Sequence, residues 1–145
     1  MTFSRADHEL AEEIGRWGVE NNLLIELYPS ANIFKSSSGE YRIRFTVDSR
    51  FNNSWNLYLD FGSNYPDERP HVKTDGWSIE EPVGDEDFNH RYDSSTPCVQ
   101  DPNQWSRDMS AALVIFKAAK WIDKYEMWLN SGSPGSRTWP GAQHK

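Results

Sequence analysis

The chain has 145 residues, a length suited to one domain with a single sizeable core, and residues 1–145 are read as one domain. Its formal net charge of -7 argues against a nucleic-acid interface, which needs clustered Lys and Arg to neutralise phosphates. One cysteine rules out an internal disulfide, and neither an apolar run of about 18 residues nor a charged-then-apolar leader is present, so no membrane insertion is expected and a reducing cytoplasm is.

In chain order, Ser4 offers a helix cap with Asp7 three residues on, and Leu10, Ile14 and Trp17 form an apolar stripe at spacings of four and three. A helix from about Arg5 to about Glu20 follows, with Glu9, Glu12, Glu13 and Arg16 on its solvated face. Strand signals come next, at Leu23 to Leu27, Asn32 to Lys35, Tyr41 to Val47 and Trp55 to Phe61. The last two alternate apolar and polar residues with turn residues between, which predicts a four-stranded antiparallel meander with one buried face.

From Gly62 to Asn103 the periodicity stops, and only a short strand at His71 to Thr74 fits the pattern. A long irregular segment in a compact domain is usually functional, so the site is sought here. Ser106 is a plausible cap, with Asp108 in the first turn, for a helix running to about Leu129. Val114, Ala118, Trp121, Ile122, Tyr125 and Leu129 give that helix a wide apolar arc to lay across the sheet, while Lys117, Lys120 and Lys124 share a solvated side. Asn130 to Gly135 breaks it, and 131–145 reads as an irregular tail, with Trp139 and His144, whose composition permits disorder. The class is α+β.

The irregular segment holds the only cysteine, Cys98, with His90 eight residues before it and Trp105 seven after. Free cysteine usually behaves as a small buried hydrophobe. Asp93 to Pro97 and Gln100 to Asn103 instead make a polar, proline-punctuated loop, which favours an accessible thiol and a candidate nucleophile. A cysteine nucleophile works as the thiolate, and His90, a helix N-terminus near Ser106 or backbone N–H groups are available to support it. A structural role for His90, closing the loop by hydrogen bonds, stands beside the catalytic one. The scattered His8, His71, His90 and His144 and one cysteine do not make a zinc site, and no glycine-rich phosphate loop precedes a helix, so neither metal nor cofactor is expected.

The order of parts resembles the ubiquitin-conjugating enzymes across roughly residues 5 to 130: helix, meander, Tyr65-Pro66-Asp67-Glu68-Arg69-Pro70, then His90, Cys98, Trp105 and a long helix. Arg69 replaces the first of the family's paired prolines. The family's His-Pro-Asn, whose asparagine supports the oxyanion, is matched by Phe88-Asn89-His90-Arg91-Tyr92, which keeps the histidine but not the following asparagine; Asn89 is a candidate substitute. This pattern, with the closing Trp139-Pro140-Gly141-Ala142-Gln143-His144, is similar to the bacterial branch found in antiviral, CBASS-type operons beside a cGAS-like nucleotidyltransferase.

The resemblance implies a stand-alone conjugating-enzyme-like fold. It further implies that Cys98 holds the C-terminus of a protein as a thioester, either a ubiquitin-like modifier or the nucleotidyltransferase itself, and passes it to a nucleophile in antiphage defence. Two other readings compete. An inactive conjugating-fold module that docks a partner has the missing asparagine for it and the retained Cys98 and His90 against it; a Cys–His hydrolase is disfavoured because no third residue is evident to orient the histidine.

Overall fold

The computed structural model describes residues 30–35, 37, 41–62, 65, 67–83, 89–99, 104–106 and 109–140, together with Leu24, Leu27 and Tyr28. The helix expected over Arg5 to Glu20 lies outside them.

Four antiparallel strands form the main sheet in chain order, β1 (Asn32–Lys35), β2 (Tyr41–Asp48), β3 (Ser54–Asp60) and β4 (His71–Thr74). In β2 the alternation read from sequence is the observed one: Ile43, Phe45 and Val47 are buried while Arg44, Thr46 and Asp48 are exposed. The register carries one apolar row across the whole sheet, Ile33 opposite Ile43, Ile43 opposite Leu59 and Leu59 opposite Val72. A slip of one residue would turn each of these outward, so burial of this face fixes the pairing. On the other face Arg42 pairs with Asp60 at 3.6 Å and Arg44 with Asp75 at 3.7 Å.

Helix α1 (Ala111–Leu129) covers the apolar face against β2 and β3, burying Val114, Ile115, Ala118, Trp121, Ile122, Tyr125 and Trp128. Its N-cap is Ser110, whose Oγ accepts from the Leu113 N–H at 3.2 Å. The cap expected at Ser106 therefore moves four residues on. Ser106 instead accepts the Met109 N–H in a turn at 3.0 Å, and cap propensity alone does not choose between two serines a turn apart.

Two further elements depart from the sequence reading. Where the first strand was expected, at Leu23 to Leu27, the described residues Leu24 and Leu27 are helical, with Tyr28 N–H donating to Leu24 O at 2.8 Å, and His71–Thr74 supplies the fourth strand of the sheet. A short leucine-rich run carries no periodicity to separate helix from strand, and leucine favours helix. The irregular stretch also contains a small two-stranded sheet, β5 (Arg91–Asp93) and β6 (Thr96–Pro97), too short to show alternation.

The tail is irregular to residue 140, yet it is packed. Trp139 is buried between His90 and Trp121, with ring centroids 5.2 and 5.6 Å away, and the Arg137 guanidinium lies 4.6 Å over the Trp128 ring. Among the described residues no helix is long and apolar enough to cross a membrane.

Candidate active site

The site is assembled from a hairpin latched onto the sheet. Asp93 accepts both the Ser95 N–H (2.8 Å) and the Ser95 hydroxyl (3.0 Å), which fixes the turn between β5 and β6. These bonds, the Ser95 N–H foremost, hold the Asp93 carboxyl below its ordinary range. The turn carbonyls of Ser95 and Ser94 accept the N–H groups of Thr74 (2.9 Å) and Ile79 (2.7 Å), and Lys73 Nζ donates to Thr96 Oγ1 at 2.7 Å. The segment that carries Cys98 is thus pinned to the end of β4.

Cys98 directly follows β6 and is partly exposed. Its N–H donates to the His90 carbonyl at 2.9 Å, and the same carbonyl accepts Trp121 Nε1–H at 2.8 Å. One backbone oxygen therefore ties the cysteine segment to α1. To aim it there, His90 adopts a left-handed backbone with φ of 48°, uncommon outside glycine and costing roughly 1–2 kcal/mol. The histidine side chain is buried against Trp139.

Asn89 is fully buried, and its Nδ2 donates to the Glu80 carbonyl at 2.8 Å. The Glu80 N–H donates to Tyr125 Oη at 2.8 Å, and the Glu80 carboxylate pairs with Arg137. Asn89 and His90 are thus both anchored from beneath, toward α1 and the tail.

Above this floor lies a pair that sequence reasoning passed over. Arg69 Nη2 donates to Tyr92 Oη at 3.3 Å, its guanidinium 5.5 Å from the Tyr92 ring centre. Burial raises the Tyr92 phenol pKa, the influence of Cys98 raises it further, and Arg69 opposes both. A signal for this pair did exist. Arg69 replaces a motif proline, and Tyr92 lies in the stretch that lacks the asparagine, so the two departures from the family pattern touch each other. Trp105, the aromatic landmark after the cysteine, sits 6.0 Å from Tyr65, which in turn packs edge-on at 4.6 Å against Phe61.

Sheet, covering helix and cysteine-bearing hairpin together define a ubiquitin-conjugating-enzyme fold. A ubiquitin-conjugating enzyme E2 from Plasmodium falciparum superposes with a TM-score of 0.51 at 16% identity, covering 75% of this chain and 96% of that one. At this identity the likeness carries the fold alone. The family described as Type II CBASS E2 protein matches residues 20–144, and the chain belongs to that family. No curated protein matches it. Membership gives the chain a conjugating-enzyme-like role in CBASS and implies a protein partner.

Proposed function

We propose that the chain carries the C-terminal residue of a protein as a thioester on Cys98 and transfers it to a nucleophile, in bacterial antiphage defence. The observation that supports this most is the placement of the only cysteine: partly exposed, at the end of β6, its backbone held by the His90 carbonyl. The cargo would be a cGAS-like nucleotidyltransferase or a ubiquitin-like modifier. In the first step the thiol loses its proton to solvent and the sulfur attacks the carbonyl carbon of an activated C-terminus, itself a thioester or an acyl adenylate. A C–S bond forms as the donor's leaving group departs. An amine or other nucleophile then attacks the thioester carbon, the C–S bond breaks, and sulfur takes back a proton. This chemistry requires no metal or organic cofactor.

His90 acts in this reading chiefly through its backbone oxygen, which fixes the height of Cys98 over α1. Asn89 acts from below. One N–H of its amide is donated to the Glu80 carbonyl and its Oδ1 can only accept, so any support for an oxyanion would come from the second N–H. To test the function, the chain is produced together with the proteins of its operon and resolved on a non-reducing gel. Wild type should show an adduct that dithiothreitol removes, Cys98→Ser one that resists dithiothreitol but yields to alkali, and Cys98→Ala none. An adduct of unchanged yield in Cys98→Ala would overturn the proposal.

A further inference from the structure

We infer that the cleft between the β2–β3 turn and the end of α1 is a binding site for the side chain of a lysine or arginine on a partner protein, with Glu126 as its counter-charge. The site stands apart from Cys98, and nothing in it depends on thioester chemistry.

Three observations carry the inference. The first is the cleft itself, about 460 Å³ in volume and lined by Asn53, Ser54, Trp55, Glu126, Leu129 and Asn130. That volume lies in the range of binding pockets. Its walls are held in place by the fold. Trp55 packs edge-on against Trp77 at 4.7 Å and Tyr125 at 5.7 Å, and Asn130 donates its backbone N–H and its Nδ2 to the Glu126 carbonyl at 3.1 and 2.8 Å.

The second observation is an uncompensated charge. Glu126 is 2% exposed, and its carboxylate accepts from Asn53 Nδ2 and Trp55 Nε1, both neutral. Neutral donors satisfy the oxygens but leave the charge whole, whereas a buried carboxylate is normally paired with a cation. Among the described residues no lysine, arginine or histidine pairs with it; Arg50, the cation of the β2–β3 turn, pairs with Asp123 at 3.9 Å instead. The donors hold the carboxyl below its ordinary value, so it is ionised at neutral pH. The third observation is the helix end. α1 points the negative end of its dipole here and has no basic residue in its last turn, where a cation is favoured.

Together these features select the ligand. The carboxylate and the helix end both repel an anion. Trp55 and Leu129 add apolar wall along which an aliphatic stem can lie while its charged head reaches Glu126, as lysine and arginine side chains do elsewhere. Asn53 and Ser54 are exposed, so the side chain enters from solvent.

The test titrates the isotope-labelled full chain with N-acetyl-arginine methylamide or N-acetyl-lysine methylamide and follows the Trp55 Nε1–H resonance, assigned by its absence from Trp55→Phe. At least one of the two should shift it saturably with a Kd on the order of 1 mM, the affinity within reach of a single side chain. N-acetyl-norleucine methylamide, which has an aliphatic stem without the charge, should not. Glu126→Gln should weaken binding by about tenfold or more, but it also loses stability. Ser54→Lys, at an exposed position of the cleft, supplies an ammonium from the chain itself; it should weaken the titration as much without lowering the urea midpoint. No saturable shift below about 50 mM, equal binding of the norleucine derivative, or wild-type titration of either variant would overturn the proposal and leave Glu126 a purely structural carboxylate.

Discussion

Glu126 illustrates how a single side chain is held in this molecule. Its carboxylate is buried in the last turn of α1 and accepts from Asn53 Nδ2 at 2.9 Å and from Trp55 Nε1, with Ser49 as a further source of donation. Burial alone would push its pKa up; the three donors outweigh burial and hold it below the ordinary value of 4.5. A carboxyl with a lower value folded than unfolded stabilises the fold fully above the unfolded value, and that contribution fades as pH falls through the folded value. The urea midpoint of the wild type should therefore drop as the solution is acidified below about pH 4.5. Glu126→Gln, which turns an amide toward the same donors, should cost about 1–3 kcal/mol at neutral pH and flatten this acid limb. Parallel pH profiles for the two proteins would assign the acid sensitivity elsewhere. Position 126 was also opaque to sequence reading, since a glutamate on a long helix reads as solvated until a turn from the sheet supplies its donors.

At the scale of elements, the tie between α1 and the cysteine hairpin is one indole N–H reaching one carbonyl, Trp121 Nε1 to His90 O at 2.8 Å. Trp121→Phe keeps an aromatic ring in the core but removes the donor. Exchange of the Cys98 amide hydrogen should then quicken on the order of 10-fold, because the loop opens more often when its anchoring carbonyl loses one of its two partners. Unchanged protection at Cys98 would show that the hairpin holds itself without the helix. Elements of this molecule were legible where the pattern was long. The alternation of β2 and β3 and the apolar arc of α1 each span enough residues to declare a buried face, and they appear at the expected places. The hairpin of three and two residues could not be read, because its identity comes from bonds to β4 and not from its own pattern. Cys98 and His90 were legible as neighbours in a loop; that His90 contributes a carbonyl with a left-handed backbone was not.

Across the whole molecule, the sheet and helix form a platform and the tail straps the site to it. Trp139 is 5% exposed and touches both His90 and Trp121, while Arg137 joins Trp128 to Glu80, whose carbonyl holds Asn89. A polar, glycine-containing tail gave no such indication in sequence, since its order comes from one aromatic finding a hole in the finished fold. Trp139→Ala should cost about 3–5 kcal/mol in urea unfolding, as for other buried tryptophans, and should loosen the His90 turn with it. A loss below about 1 kcal/mol would mean that the strap rests on the surface without supporting the site. In the proposed function this platform presents Cys98 to the C-terminus of another protein. Its most direct test is tandem mass spectrometry of the Cys98→Ser adduct formed beside the operon's proteins. The expected product is a peptide branched at position 98 and bearing the C-terminal residues of a partner; a branch at any other residue, or a position 98 that stays unmodified while adducts form, would rule out the thioester role of Cys98.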